Sequence, residues 1–239
     1  MPGSAPSDVD LLLLHAPSVY DFRKKAILYG PVSDMVPSST VFEMYPLGFL
    51  TMASYLHDRG MRVRIVNLAL RMMNSRRFDV PQFLARQRPA AVGIDLHWLP
   101  HAHGALEVAR IVKELHPELP VILGGLSSSY YHRELIGYPQ VDYVLRGDST
   151  EPPLHQLLLA LKHGTSLADI PNLTWKDAAG SHVNPLSFLP LTAPRHLSVF
   201  VSPSHSPRAR YPSRRRPRAH QSRTTGLPSR PAQSLPPAN

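Results

Sequence analysis

Cysteine is absent from all 239 residues. That excludes disulfides, thiolate metal sites, cysteine nucleophiles and protein ligation of an iron–sulfur cluster within this sequence. Long apolar runs are missing too, since none approaches the roughly 18 residues of a membrane span. The opening Met1-Pro-Gly-Ser-Ala-Pro-Ser-Asp lacks the basic and apolar regions of a signal peptide. A cytoplasmic protein without a membrane partner is therefore expected. Acidic residues vanish from Leu191 to Asn239, where nine Arg, nine Pro and eight Ser occur without one Asp or Glu. Residues 1–190 balance 17 Lys+Arg with 17 Asp+Glu, so the formal charge of +9 belongs to this tail. The neutral remainder gives no composition-level argument for a nucleic-acid-binding fold. Within the tail, Arg214-Arg-Arg216-Pro-Arg218 offers charge alone, and Tyr211 is the one aromatic after Phe200. Nucleic acid is expected only as a nonspecific partner of the tail, and residues 191–239 are expected to be disordered.

What is present is an alternation of short apolar runs with helical spacing. Val9-Asp-Leu-Leu-Leu-Leu14, Met61 to Asn67, Ala91 to Ile94, Val121-Ile-Leu123 and Asp142 to Leu145 read as five strands. Between them lie helix-patterned stretches opening at Pro46 and ending at Gly60, from Asp79 to Gln87, from Gly104 to His116, near Tyr131 to Ile136, and from Pro152. The fold expected is α/β, a flavodoxin-like (Rossmann-like) doubly wound five-stranded parallel sheet of order 2-1-3-4-5. Asn172-Leu-Thr-Trp-Lys and Ser181-His-Val-Asn, flanking Asp177-Ala-Ala-Gly180, predict a small C-terminal hairpin. The domains read as 8–165 for the α/β unit, 166–190 for a hairpin connector and 191–239 for the tail. The stretch from His15 to about Tyr45 has no sustained periodicity and is expected to serve as a lid or binding loop. Ligands in such sheets sit beyond the carboxyl ends of the strands, which places Asp95 to His103, Gly124 to Ser129 and Arg146 to Glu151 on one rim.

Tyr45-Pro-Leu47-Gly48-Phe-Leu-Thr-Met-Ala-Ser-Tyr-Leu ahead of Arg59-Gly60, then Val92-Gly-Ile, Val121-Ile-Leu-Gly-Gly125, and Asp142-Tyr-Val-Leu-Arg-Gly-Asp148 followed by Glu151, form an ordered set. With the connector-like Ile170-Pro-Asn-Leu-Thr-Trp-Lys, this set resembles the amino-terminal cobalamin-binding domain of B12-binding radical S-adenosylmethionine proteins. The resemblance covers about residues 9–188. It implies cobalamin as cofactor, with its nucleotide tail in a groove at the strand ends and the double glycine letting that tail lie against the sheet. By position, Gly124, Gly125, Leu126 and Ser127 would contact the tail. Asp95, Leu96 and His97 would face the corrin or its tail, Arg146, Gly147 and Asp148 would close the other side, and Leu47 and Gly48 belong to the same site. Enzymes of that family carry a Cys-x-x-x-Cys-x-x-Cys motif in a following domain, which is not in this sequence. The chain is thus expected to be a truncated, non-catalytic cobalamin-binding part, with a separate radical S-adenosylmethionine chain as a possible partner, and no catalytic or metal-ligating residue is assigned in it.

Asp95-Leu-His97-Trp-Leu-Pro100 nearly spells the Asp-x-His-x-x-Gly motif whose histidine ligates cobalt in related cobalamin-dependent synthases and mutases. It follows the third strand rather than the first, and proline replaces the glycine, so the match reads as accidental. His15-Ala-Pro17 after the first strand lacks the pattern, and no lower axial histidine is predicted. His97, His101 and His103 could mark a metal site, but neither a thiolate nor a carboxylate pair lies nearby. Asp148 and Glu151 suit a helix amino terminus as well as an acid/base pair. Ser127-Ser-Ser129 suits a helix cap as well as a phosphate turn. The rival reading is a small Rossmann-like transferase or hydrolase that takes a nucleotide or sugar-nucleotide at the same rim.

Overall fold

The computed structural model describes residues 9–24 and 47–189. Most of the lid expected before Tyr45, and the whole of the tail at 191–239, lie outside the described residues. The elements run β1 (Val9–His15), α1 (Leu47–His57), β2 (Val63–Asn67), α2 (Leu68–Asn74), α3 (Val80–Ala85) and β3 (Pro89–Asp95). They continue with a 3₁₀ turn at Leu99–His101, then α4 (Ala102–Leu115), β4 (Val121–Gly124), α5 (Leu126–Tyr130), α6 (His132–Ile136) and β5 (Tyr143–Leu145). Last come α7 (Glu151–His163), β6 (Leu173–Asp177) and β7 (Gly180–Val183). Among the described residues no helix is long and apolar enough to cross a membrane.

The sheet order is β2-β1-β3-β4-β5-β6-β7, and the first five strands are parallel. A strand buried on both faces can be apolar at every position. β1 shows this: Leu11 and Leu13 pack on one face, Leu12 and Leu14 on the other. The first face is covered by Phe49 and Leu56 of α1 and by Leu154, Leu157 and Leu158 of α7. The second face is covered by α2, α3, α4 and α6, through residues such as Met72, Leu84, Val108 and Leu135. This is the doubly wound arrangement read from the sequence, with its order reversing between β1 and β3.

The strand count is seven rather than five. The expected hairpin does form, but it joins the sheet: β6 runs antiparallel to β5, pairing Tyr143 with Trp175, Val144 with Thr174 and Leu145 with Leu173. A three-residue β5 left at the edge would expose unpaired backbone groups beside the core. β6 covers them, and Leu173 and Thr174 are fully buried as a result. Helix α2 is a second addition. It starts directly after β2, where the Asn67 side chain accepts a hydrogen bond from the Leu70 amide at 2.8 Å and caps it.

The chain after β7 folds back along the carboxyl ends of the strands. Asn172, buried with φ of 63°, donates through Nδ2 to the Phe188 carbonyl at 2.8 Å and accepts from the Phe188 amide at 3.0 Å. Asparagine tolerates this left-handed conformation better than most side chains. Asn184 donates to the carbonyls of Leu167 and Ile170 and accepts from the Trp175 indole. Residues 184–188 are thereby fixed beside β5.

Candidate functional site

Alternation along the parallel strands decides which side chains reach the site. On the face covered by α1 and α7, the carboxyl ends of β1, β3 and β4 present His15, Asp95 and Gly124, with Asp95 registered on Gly124. One pleat deeper, about 7 Å along the strands, lie Leu13, Gly93 and Ile122, registered side by side. Above these two rows is a cavity of about 590 Å³. Its roof comes from Leu47, Gly48, Phe49 and Met52 of α1 and from Thr150 and Leu154 at the start of α7. The rim is polar and the depth is apolar. The cavity sits where the strand order reverses, the position at which open α/β sheets bind ligands.

The rim is built around one side-chain pair. His15 Nδ1 lies 2.8 and 3.0 Å from the two Asp95 carboxylate oxygens, and both groups are largely shielded from solvent. The pair bridges the two strands that flank the reversal. A carboxylate on one ring nitrogen fixes the orientation of an imidazole. The His101 ring packs 5.6 Å from that of His15, while His97 meets Trp98 edge to face at 5.0 Å, and all four line the cavity. Trp98 is 58% exposed. His103 faces away, with Nδ1 3.3 Å from the Tyr20 amide. Among the described residues no three His, Asp or Glu side chains converge to hold a metal ion.

The glycines divide by role. A β-carbon on Gly124 would meet nothing within 4 Å, so the space above it belongs to the cavity. On Gly93 it would come 2.7 Å from Leu13 Cδ2, the end of a flexible side chain. Gly125 is different, because its β-carbon would lie 2.9 Å from the backbone of Leu96 and His97, and its φ is +107°. It lines the cavity, but its missing side chain makes room for the loop after β3 rather than for a ligand. This corrects the expectation that both glycines of the pair serve one purpose.

The other expected site residues separate in the same way. Leu47, Gly48, Asp95, His97, Gly124 and Gly125 come together around the cavity. Leu96 points into the opposite core and is 1% exposed. Leu126 lies on the surface, and Ser127 donates its hydroxyl to the His97 carbonyl at 3.0 Å. Arg146 is buried on the far face of β5, where its guanidinium donates to the Asn184 carbonyl. Burial first, and Arg133 second, lower its pKa from the usual arginine value, and Nε has no hydrogen-bond partner. Gly147 donates its amide to Ser129 Oγ at 2.8 Å, and neither it nor Asp148 lines the cavity. The phosphate-turn reading of Ser127-Ser-Ser129 does not survive. The amides of Ser127 and Ser128 already bond the carbonyls of His97 and Leu96, and all three hydroxyls donate to carbonyls.

His15, Gly93, Ile122 and Leu145 escaped the reading from sequence, although each faces the cavity; Thr150 lay within the expected rim segment Arg146 to Glu151 but was not singled out. For those on β1, β3 and β4 the signal was present: counting back by two from Asp95 and Gly124, or across to the end of β1, finds them.

Residues 35–155 match the family described as B12 binding domain. The hopanoid C-3 methylase of Methylococcus capsulatus is 24% identical over 143 residues, 59% of this chain and 27% of that protein. Among solved structures, the radical S-adenosylmethionine methyltransferase TsrM from Kitasatospora setae, with cobalamin and a 4Fe-4S cluster bound, superposes with a TM-score of 0.57. The identity is 20%, over 77% of this chain and 30% of that one. The cobalamin-dependent S-adenosylmethionine radical enzyme OxsB, with aqua-cobalamin and S-adenosylmethionine bound, gives 0.55 at 16% identity, over 76% of this chain and 23% of that one. At such identities the solved structures establish the shared fold. The chain spans 23% to 30% of the length of these relatives.

Proposed function

The chain belongs to the B12-binding domain family, and from that premise we propose that it binds cobalamin with the nucleotide tail held in the cavity between the sheet and α1 and α7. The observation that carries this is the open position above Gly124 at the floor of a cavity of about 590 Å³. A flat aromatic base can lie where a side chain would otherwise stand. The residues present fit such a group. Gly124 and Gly93 lower the floor, Phe49, Met52 and Leu154 supply apolar walls, and His15, Asp95, His97 and Trp98 offer polar and aromatic contacts where the corrin would emerge. Leu47 and Gly48 close the roof, and Gly125 fixes the loop that carries His97.

When bound, cobalamin supplies a cobalt centre able to carry an alkyl group. This chain's residues hold the tail, keep water from its apolar base and orient the corrin at the rim. With no cysteine in the sequence, the thiolates of any radical S-adenosylmethionine cluster come from elsewhere, either a separate chain or a further region. Methyl transfer is the reaction we propose for that assembly, in the cytoplasm. The nucleotide-transferase alternative is not favoured, since the amides after β4 that would hold a phosphate are already bonded.

The test is a spectral titration of the purified protein with hydroxocobalamin. A saturable change at one equivalent is expected. A spectrum that stays that of free hydroxocobalamin at millimolar protein, with a nucleotide binding instead, would overturn the reading.

A further inference from the structure

We propose that a second site, at the amino ends of the strands, binds a phosphate group through Arg64, Arg86 and Arg88. It goes beyond the cobalamin reading and does not depend on it. β1 and β3 begin at Val9 and Pro89, which are registered on each other, and a pocket of about 100 Å³ opens beside them. Arg64 reaches it from β2, while Arg86, Gln87 and Arg88 reach it from the turn between α3 and β3. Arg64 is registered on Leu12, whose side chain packs on the face covered by α2, α3, α4 and α6. The pocket is therefore at the opposite end of the sheet from the cavity, and on its other face.

The chemistry of this pocket is one-sided. Among the described residues three guanidiniums line it and no Asp or Glu does, and none of the three forms an ion pair. Asp10, the carboxylate at the start of β1, is already engaged: the Arg62 amide donates to it at 2.7 Å, and the Arg62 guanidinium lies 3.7 Å away. Arginine keeps its charge in proteins, so the three groups repel one another until an anion enters between them.

Two of the donors are held in place. Arg64 Nη1 donates to Gln87 Oε1 at 2.9 Å, and Gln87 Nε2 donates in turn to the Phe83 carbonyl at 3.1 Å. Arg88 Nη1 donates to the carbonyls of Ala85 and Gln87 at 2.6 and 2.8 Å. Among the described residues each of these guanidiniums bonds the protein through one nitrogen, which leaves the other two for a ligand. A helix C-terminus attracts cations. That accounts for Arg88, but not for Arg64, which comes from a strand, nor for Arg86, whose side chain makes no hydrogen bond among the described residues.

Phosphate fits by charge and by shape. A carboxylate brings one charge and one pair of oxygens, enough for a single guanidinium fork. A phosphate brings more oxygens and up to twice the charge, so it meets several forks at once. A pocket of about 100 Å³ admits a tetrahedral oxyanion but not a nucleoside. The group recognised is thus the phosphate itself, either the free ion or the end of a phosphomonoester whose remainder stays in solvent.

The experiment is a calorimetric titration of the full chain, and of its Arg64→Gln and Arg86→Gln variants, with inorganic phosphate and with adenosine monophosphate at low ionic strength. Saturable binding of phosphate at one equivalent is expected for the wild type, weakened about tenfold or more in either variant. Both residues are exposed and neither lines the cobalamin cavity, so the variants are expected to melt with the wild type and to match it in hydroxocobalamin titrations. Adenosine monophosphate binding more tightly than inorganic phosphate identifies the occupant as a phosphomonoester, and the reverse order identifies the free ion; both orders support the site. Heat that does not saturate, or that saturates alike in the wild type and both variants, belongs to the arginine-rich tail and would overturn the proposal. Hydroxocobalamin binding that weakens in parallel with phosphate binding would show one site rather than two, and would overturn it as well.

Discussion

Gly124→Leu is expected to weaken hydroxocobalamin binding by about a hundredfold or more, about 2.8 kcal/mol at about 1.4 kcal/mol per tenfold, without loss of the folded state. The β-carbon finds nothing within 4 Å, and the rest of the leucine extends into the space assigned to the nucleotide tail. Gly124 closes β4 in an extended conformation with no positive φ, so leucine meets no backbone strain there. Replacing a strand glycine also restricts the unfolded chain, which offsets small packing losses. Spectral titration and thermal melts of wild type and variant, side by side, check the result. Unchanged affinity in a folded Gly124→Leu protein would place the tail outside the cavity.

Gly125→Leu is expected to do the opposite, disrupting the fold before it touches a ligand. A φ of +107° with ψ of 176° is a conformation that side chains other than glycine's rarely adopt. The β-carbon would also lie 2.9 Å from backbone atoms of Leu96 and His97. Backbone is not free to turn aside, because the Leu96 carbonyl, one of the groups the β-carbon would meet, accepts from the Ser128 amide, and the carbonyl of His97 accepts from that of Ser127. Strain of about 1–3 kcal/mol and overpacking of about 1–3 kcal/mol together are a large share of the roughly 5–15 kcal/mol that stabilises an ordinary domain. Urea unfolding should show the midpoint falling sharply at an unchanged slope. A Gly125→Leu protein that melts with wild type would mean that the turn after β4 is not held as described.

The contrast between these neighbours shows what the sequence made legible. Strand–Gly–Gly is visible in the letters, and it rightly marks the rim. Which glycine faces the ligand follows from alternation: Ile122 and Gly124 share the cavity face, whereas Gly125 has already left the strand. The same rule parts Asp95 from Leu96. Motif reading takes residues in sequence, but a strand sends adjacent side chains to opposite layers.

Strand order was readable because β1, β3 and β4 carry continuous apolar runs, Leu11–Leu14, Ala91–Ile94 and Val121–Leu123, bounded by helix-patterned segments. The place of the hairpin was not, since it depends on the short β5 needing a covered edge, a property of the assembled sheet. The His15–Asp95 pair was hidden for a related reason. The two residues are 80 positions apart, and only the crossover that sets β3 beside β1 brings their side chains within 2.8 Å. Asp95-Leu-His97 looked like the pairing of a carboxylate with a histidine. The Asp95 carboxylate indeed binds a histidine, but that histidine is His15.

The most direct measurement of the central claim is electron paramagnetic resonance of the protein loaded with cobalamin and reduced to its cobalt(II) state. A tail buried in the cavity draws its base away from cobalt, so the nitrogen splitting of free cob(II)alamin should disappear from the bound spectrum. Nitrogen splitting that persists at full occupancy, and is unchanged in His15→Ala, His97→Ala and His101→Ala, would show the base still on cobalt and contradict the account.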